Sequence, residues 1–262
     1  MALWVVATPI GTLGDLSERA RDVLGSAAAI ACEDTRTTRK LLGAVGVSAP
    51  ELIAVHAHNE AEIAERIAAR AADEEVALVS DAGTPGVSDP GVAVVAACHR
   101  AGVPVRSVPG PSALAAALAA SGFPAAPSAF LGFAPRKKRD GFCREALQRP
   151  ETLVVYEAPT RAGDLLGRLA ALQPERAACL ARELSKTFEE ILRAPLGELA
   201  AKVAAREIRG ECVVLVGPGE ALPAPRAALE GTALKDVARV LADRWGESRR
   251  DVYQRLLEWE RE

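Results

Sequence analysis

The chain has 262 residues, of which 49% are apolar and 26% charged, a balance typical of a globular soluble protein and unlike that of a disordered one. No uninterrupted apolar run approaches the roughly 20 residues that span a membrane. The opening MALWVVATPIG lacks the basic segment of a signal peptide. The net charge of −3 does not indicate a nucleic-acid binder, nor does it exclude one, because local basic patches matter more than totals.

The first 120 residues alternate short β-rich segments with helical segments. Strands are predicted at residues 3–7, 28–32, 52–56, 76–80 and 103–108. Helices are predicted at residues 18–25, 36–45, 60–72, 91–101 and 112–120. This repeated order predicts an α/β fold whose first sheet is mostly parallel and covered by helices.

The segment 122–127, which contains two prolines, predicts a domain boundary. Beyond it, strands are predicted at residues 128–132, 152–156, 177–181, 187–192 and 212–216. Helices are predicted near residues 140–149, 160–172 and 196–206. Several of these strands follow one another without an intervening helix, which predicts a second sheet of mixed parallel and antiparallel pairing.

A linker rich in Gly and Pro is predicted at residues 217–225, followed by helices at 232–245 and 249–260. Ser248 and Asp251 form an N-terminal cap signature for the second helix. Two helices joined by a tight turn are typical of a helix-turn-helix, and equally of a helical hairpin docked on the body. The predicted domains are therefore residues 1–121, 122–220 and 226–262.

Five cysteines occur without a Cys-x-x-Cys spacing: Cys32, Cys98, Cys143, Cys179 and Cys212. Their odd number and scatter argue against a disulfide framework or a zinc site, and they predict a cytoplasmic location. His56 and His58 have a spacing that suits a metal ion on one face of a strand. No carboxylate or cysteine cluster accompanies them in the sequence, so we predict no metal site.

The loops after the five strands of the first domain are rich in Gly, Pro and hydrogen-bonding residues. They read TPIG, EDTR, HAHNE, DAGTPGVSDPG and PGPS. Because ligands of open α/β sheets bind at the carboxyl ends of the strands, these loops predict a site along one edge of the first sheet. The sequence has no G-x-G-x-x-G after the first strand, no P-loop and no G-x-S-x-G, which leaves a ligand held largely by backbone atoms.

Seven motifs occur in order along about residues 3–217. They read VATPIGTLGDL, CEDTRTTRKLL, HAHNE, VSDAGTPGVSDPG, PGPSA, LARELSKTFEEI and GECVVLVG. Together they resemble the tetrapyrrole methylase superfamily and, within it, the ribosomal RNA small subunit methyltransferase I family. The C-terminal LKDVARVLADRWGESRRDVYQRLL resembles the small helix-turn-helix domain of that family.

The resemblance implies a two-domain α/β methylase that binds S-adenosylmethionine between its domains and forms a homodimer. It also implies the family's reaction, methylation of a cytidine ribose 2′-hydroxyl in the decoding region of 16S rRNA, with the small ribosomal subunit as partner. By motif position it assigns cofactor contacts to Pro9, Asp81, Gly83, Thr84, Val87, Ser112, Ala113, Ala158, Ala181 and Cys212. For the last three, the alternative interpretation is a core position at the end of a strand.

A ribose hydroxyl is a weak acid, so its methylation is helped by a base or by a cation that stabilises the developing alkoxide. Candidates near the predicted edge are Asp34, Glu157, Glu183 and Lys186, of which we select Asp34, Glu183 and Lys186 as catalytic. Each is also a candidate for a structural ion pair with a neighbouring arginine. RNA contacts are predicted in three basic runs, which are Arg36, Arg39 and Lys40, then Arg136, Lys137, Lys138 and Arg139, then Arg249 and Arg250.

Two alternative functions stay open at this point. The first is a C-methyltransferase that acts on a precorrin-like tetrapyrrole, against which the basic loops, the terminal helical pair and Gly83-Thr84-Pro85 in place of G-D-P all argue. The second is a non-catalytic RNA-binding factor in ribosome assembly, against which the intact SDAGTP and PGPSA loops argue.

Overall fold

The computed structural model describes residues 1–56, 59–222, 234–245 and 248–259. Residues Met1–Glu220 form one compact unit, and Ala221–Glu262 form another. His58, residues 223–225 of the predicted linker and the predicted turn at 246–247 lie outside the described residues.

The first sheet contains five strands that all pair in parallel. The strands are β1 (Ala2–Val6), β2 (Ala29–Cys32), β3 (Glu51–Ala54), β4 (Glu75–Val79) and β5 (Val105–Val108), in the order β3-β2-β4-β1-β5. The helices between and after them are α1 (Glu18–Ser26), α2 (Thr35–Ala44), α3 (Glu60–Asp73), α4 (Val92–Arg100) and α5 (Ala113–Ser121). The predicted parallel sheet is confirmed, with strand ends displaced by a few residues.

Helices cover both faces of this sheet, which explains the mostly apolar and buried central strands β1, β2 and β4. On one face, α3 and α4 pack on β1 and β4 around Ile67, Leu78 and Val94. On the other face, α1 and α2 pack around Leu24, Ile30 and Leu42. A sheet buried on both faces leaves only its edges and the ends of its strands open to a ligand.

The second sheet also has five strands and is mixed, as predicted. Its strands are β6 (Ser128–Phe133), β7 (Thr152–Glu157), β8 (Ala177–Arg182), β9 (Glu190–Pro195) and β10 (Cys212–Val216), in the order β6-β7-β10-β8-β9. Only β6 and β7 pair in parallel, and the other three pairings are antiparallel. The helices of this part are α6 (Arg139–Leu147), α7 (Pro159–Leu172) and α8 (Leu196–Ala204).

The predicted strand at residues 187–192 begins too early, because β9 starts only at Glu190. The preceding residues form a loop with positive φ angles of 51° at Glu183 and 62° at Ser185. This loop is held against the loop after β1, where the Thr12 hydroxyl donates to the Ser185 carbonyl at 2.6 Å. The tertiary contact therefore overrides the local strand propensity of Thr187-Phe188.

Helix α5 joins the two sheets. It follows the last strand of the first sheet, but Ala117 and its apolar neighbours on α5 pack into the core of the second sheet beside Val154 and Leu215. The boundary predicted at residues 121–122 thus falls directly after a helix that already packs on the second sheet.

The second unit contains α9 (Leu234–Trp245) and α10 (Arg249–Trp259). Ala238, Ala242 and Val252 form their shared core, and the Ser248 hydroxyl accepts a hydrogen bond from the Asp251 amide at 3.2 Å. The predicted pair of helices and its cap are present. Among the described residues, no helix has both the length and the apolar character needed to cross a bilayer.

Candidate active site

A cavity of about 440 Å³ opens between the strand ends of the two sheets. One wall is the loop after β4, completed by Ile10, Glu33 and the start of α5. The other wall consists of the ends of β6 and β7 and the start of β10. The lining residues are Ile10, Glu33, Asp81, Ala82, Gly83, Thr84, Val87, Asp89, Ser112, Ala113, Phe133, Tyr156, Glu157, Ala158, Pro159, Glu211, Cys212 and Val213.

Backbone hydrogen bonds fix the loop after β4. Thr8 and Gly83 exchange two of them, with N–O distances of 2.8 and 3.0 Å, which ties this loop to the loop after β1. Gly83 has a φ of +85°, a conformation that a side chain would strain. The Thr84 hydroxyl donates to the Pro111 carbonyl at 3.1 Å, which joins the loop to the one before α5. The cavity wall is therefore preformed.

The turn that carries Asp89 is strained and anchored. Ser88 has a φ of +67°, and Gly91 has a φ of +136°. The Glu60 carboxylate accepts hydrogen bonds from the Gly91 and Ala93 amides at 2.9 and 2.6 Å, at the N-terminus of α4. A strained turn held by its surroundings in this way is typical of a functional position.

Three carboxylates give the cavity an acidic character. Burial, followed by repulsion from Glu33, raises the pKa of Asp89 to about 6. Burial also raises the pKa of Glu33 and of Asp81, and the negative charge of Asp34 adds to both effects. Among the described residues, no arginine or lysine forms an ion pair with any of the three. They therefore favour a cationic ligand.

The groups that face Asp89 are mostly acidic as well. Besides Glu33, the charges of Asp81 and Glu211 raise its pKa, whereas a hydrogen bond with Ser80 lowers it. Tyr156 lies close enough to feel the Asp89 charge, and burial raises the pKa of this phenol to about 12. Tyr156 is therefore neutral at physiological pH.

Two other carboxylates in the lining are paired with cations. Glu157 is fully buried, with Arg139 at 2.7 Å and Arg161 at 2.6 Å from its oxygens. Glu211 receives Lys186 at 2.9 Å. The carboxylates of the lining that form no ion pair among the described residues are therefore Glu33, Asp81 and Asp89.

Most of the predicted cofactor residues lie together in the lining. Those that do are Asp81, Gly83, Thr84, Val87, Ser112, Ala113, Ala158 and Cys212. Pro9 lies in an adjoining groove, which shares Asp81 with the cavity. Ala181 is fully buried in the core of the second sheet. For Ala181 the alternative of a core position at a strand end describes what is seen.

None of the selected catalytic residues belongs to the described lining. Asp34 caps α2 and pairs with Arg36 at 2.8 Å, and the hydrogen bond from Arg36 lowers its pKa to about 2. Glu183 and Lys186 pair with each other at 2.9 Å, which lowers the pKa of Glu183. For Glu183 the reason is the strand order. Strand β10 lies between β7 and β8, so Glu183, which follows β8, is one strand away from the end of β7 that lines the cavity.

The predicted RNA contacts divide into exposed and buried residues. The exposed ones are Arg36, Arg39, Lys40, Arg136, Lys137, Lys138, Arg249 and Arg250. Arg139 is buried, with 8% of its side chain exposed, and it lies 2.7 Å from both Glu157 and Asp164. Contrary to the prediction, its guanidinium is not available to RNA, because the ion pairs hold it inside the protein.

The sequence interpretation missed three lining residues that carry chemistry: Glu33, Asp89 and Phe133. Asp89 stands in Ser88-Asp89-Pro90, just before the helix predicted at residues 91–101. Phe133 directly follows the predicted end of a strand at Gly132. A usable signal was that each side chain lies within one residue of a strand end or of a glycine-rich loop on the predicted binding edge.

The cysteine in the lining is a thiol and not a thiolate, since burial raises the pKa of Cys212 to about 11. Among the described residues, no group of three or more His, Cys, Asp or Glu side chains is arranged to hold a metal ion. The chemistry of the cavity therefore rests on its carboxylates, its aromatic rings and its backbone.

A sequence profile of the tetrapyrrole (corrin/porphyrin) methylases matches residues 2–200. The chain is 45% identical to the ribosomal RNA small subunit methyltransferase I of Xylella fastidiosa strain Temecula1, over 92% of this chain and 86% of that protein. It is 43% identical to the protein of the same name from Mesorhizobium japonicum, over 98% and 92%. A solved uroporphyrin-III C-methyltransferase from Thermus thermophilus, complexed with S-adenosylhomocysteine, is similar in fold, with a TM-score of 0.57, 24% identity and coverage of 83% and 97%.

Proposed function

The chain belongs to the tetrapyrrole (corrin/porphyrin) methylases and, within them, to the ribosomal RNA small subunit methyltransferase I family, and on that premise we propose that it methylates a cytidine ribose 2′-hydroxyl in the decoding region of 16S rRNA. The methyl donor is S-adenosylmethionine. The observation that carries the proposal is an acid-lined cavity whose lining residue Phe133 is followed, three to five positions along the chain, by the exposed cations Arg136, Lys137 and Lys138. A cavity of this kind suits a cationic donor inside and an anionic RNA outside.

The residues of the cavity fit this donor. Bound there, S-adenosylmethionine supplies an electrophilic methyl group on a positively charged sulfur. Asp81, Glu33 and Asp89 offer that positive charge a favourable environment, and Gly83 keeps the backbone free of a side chain at the cavity wall. The proposed binding residues are the eight predicted ones that line the cavity.

Asp89 is the residue that we assign to accept the proton of the 2′-hydroxyl. It lines the cavity, forms no ion pair among the described residues and has a pKa of about 6. A base with a pKa near the working pH accepts a proton more effectively than one with a pKa near 2, such as Asp34. As the ribose oxygen takes the methyl group and the carbon–sulfur bond breaks, the hydroxyl proton passes to Asp89.

Lys186 has a different part in this proposal. It contacts Glu211, which lines the cavity, and it pairs with Glu183, which accepts the Glu211 backbone amide at 3.1 Å. Glu183 and Lys186 are therefore positioning residues that hold the start of β10. Asp34 likewise acts through Asp81, whose carboxylate accepts the Asp34 amide at 3.1 Å.

We extend the proposal to the assembly and location of the chain. All five cysteines are unpaired and buried, which fits the reducing cytoplasm where ribosomal subunits are made. A homodimer that contacts the small subunit is proposed from the resemblance. A tetrapyrrole substrate is less well supported, because the relatives at 43–45% identity carry the rRNA name while the uroporphyrin enzyme is only 24% identical.

The test uses the full chain with methyl-labelled S-adenosylmethionine and small subunits from a bacterial strain that lacks the modification. We expect label in 16S rRNA, and we expect the modified nucleotide to resist alkaline cleavage, which requires a free 2′-hydroxyl. Uroporphyrinogen III in place of the subunits tests the alternative substrate. Label on a base, label in the tetrapyrrole alone, or subunit binding without methyl transfer would each refute the proposal.

A further inference from the structure

Phe133 owes its orientation to an irregularity in the second sheet. The pairing of β6 with β7 loses its register between Phe130 and Phe133, and Gly132 between them has a φ of +65°. Bulges of this kind redirect a side chain, and they are frequent next to active sites. The consequence here is that Phe133, the last residue of β6, lines the cavity.

The ring of Phe133 is held firmly and yet is accessible. It packs edge-to-face on Tyr156, with 5.4 Å between ring centroids and an angle of 71° between the planes. Tyr156 in turn packs edge-to-face on Phe130 at 4.8 Å. Even so, 56% of Phe133 is exposed. An exposed aromatic ring that lines a cavity and packs on a second ring, itself packed on a third, is suited to bind a flat ligand.

Cations follow Phe133 at a short interval. Arg136, Lys137 and Lys138 are exposed in the segment between β6 and α6. Lys138 has a φ of +56°, and the next residue, Arg139, is buried against Glu157 of the cavity lining. This ion pair keeps the three cations close to the cavity and to Phe133.

We propose that Phe133 stacks on the nucleobase of the nucleotide being methylated, while Arg136, Lys137 and Lys138 contact the flanking phosphates. This inference rests on the proposed function, since it concerns the RNA that enters the same cavity. A ribose reaches the cavity only if its nucleotide leaves the base stack of the RNA, and proteins compensate for the lost stacking with aromatic side chains.

The residues around Phe133 favour a nucleobase over an apolar protein partner. The cavity that Phe133 lines also contains the carboxylate of Asp89, and the segment that follows Phe133 is basic. An apolar protein surface would leave these groups without partners, whereas a nucleotide joins an apolar base face to an anionic backbone.

The experiment compares four proteins on two substrates. The proteins are the wild type, Phe133→Leu, Phe133→Trp and Phe188→Leu, the last being a control that removes an exposed phenylalanine outside the cavity lining. The substrates are small subunits reconstituted with 16S rRNA whose target nucleotide is either intact or abasic. Calorimetric binding of S-adenosylmethionine and thermal unfolding check that each variant is intact.

We expect the wild type to lose about five- to a hundredfold in kcat/KM on the abasic substrate, the range given by base–aromatic stacking. Phe133→Leu should lose a similar factor in kcat/KM on the intact substrate. On the abasic substrate its kcat/KM should equal that of the wild type. Phe133→Trp and Phe188→Leu should behave as the wild type, and S-adenosylmethionine affinity should be unchanged throughout.

Three results would overturn the inference. One is Phe133→Leu with wild-type kcat/KM. Another is a kcat/KM of Phe133→Leu on the abasic substrate that is reduced by the product of the two separate factors, because the base would then be bound elsewhere. The third is dissociation of a dimer on Phe133→Leu substitution with unchanged RNA kinetics, because a second copy of the chain would then cover the ring. If the wild type methylates neither substrate, the proposed function itself has failed.

Discussion

The guanidinium of Arg139 lies 2.7 Å from the carboxylate of Glu157, and both side chains are almost completely buried. This ion pair connects the first residue of α6, which follows the basic segment, to the last residue of β7, which lines the cavity. The ion pair thus joins the segment proposed to bind RNA to the cavity proposed to bind the methyl donor, although the two residues are 18 positions apart in the sequence.

Arg139→Ala should destabilise the fold by about 3–5 kcal/mol, because it leaves the Glu157 carboxylate buried with one cation fewer. The measurement is urea unfolding at pH 7. Arg168→Ala is the matched control, since Arg168 pairs with Asp140 and Asp164 on the surface and should cost at most about 1 kcal/mol. Equal losses in the two variants would contradict the structural role of Arg139.

Arg139 also illustrates what the sequence could not predict. A run of four cations looks alike at every position, and only the packing of α6 against β7 and α7 decides which member is buried. The order of strands and helices along the chain was predictable, because the apolar periodicity and the glycine-rich loops that indicate each element lie within the element or next to it. The grouping of most cofactor residues was predictable as well, because strand ends of a parallel sheet meet at one edge.

The pKa of Asp89 is a second property that the local sequence does not reveal. The local sequence of Asp89, Ser88-Asp89-Pro90, satisfies the pattern of a helix start, and only its place in the glycine-rich loop after β4 indicates a functional position. Its unusual pKa arises from burial and from Glu33, which is 56 positions away along the chain and follows another strand. The candidate bases that the sequence places near strand ends, Asp34 and Glu183, are instead paired with cations.

The pH dependence of the reaction distinguishes Asp89 from Asp34 as the base. A base acts only when deprotonated, so kcat/KM at subsaturating S-adenosylmethionine should fall about tenfold for each pH unit below 6 and level off above pH 7. With Asp34, whose pKa is about 2, the profile would be flat between pH 5 and 8. Asp89→Asn should lower kcat at least a hundredfold and abolish the dependence near pH 6.

Thermal unfolding provides the control for Asp89→Asn. A carboxyl group whose pKa is raised by folding stabilises the protein fully below its unfolded pKa of about 4, and that contribution is lost as the pH rises through about 6. At pH 8 the variant should therefore unfold no earlier than the wild type. A large drop in Tm at pH 8 would mean that Asp89 is needed for the fold and that lost activity says nothing about proton transfer.

The acidic lining should let the protein distinguish the methyl donor from its product. S-adenosylhomocysteine lacks the positive charge on sulfur, so it gains less from Asp81 than S-adenosylmethionine does. Asp81→Asn should weaken calorimetric binding of S-adenosylmethionine about five- to thirtyfold and binding of S-adenosylhomocysteine by no more than about threefold. Asp73→Asn makes the same change on the exposed surface of α3 and should alter neither affinity. An equal effect of Asp81→Asn on both ligands would show that its charge does not act on the sulfur.

Lys137 and Lys138 should contribute to RNA binding mainly through phosphate contacts, which release counterions. Replacing both by alanine should weaken binding to small subunits at low salt and make the slope of log K against log salt less steep by about 1.4–1.8, because each lost phosphate contact removes about 0.7–0.9. Lys202→Ala is the control, since Lys202 is an exposed lysine paired with Glu198 on α8. The measurement is a filter-binding titration at several salt concentrations. If the double variant keeps the wild-type slope, Lys137 and Lys138 do not contact the RNA, and the basic segment between β6 and α6 needs another explanation.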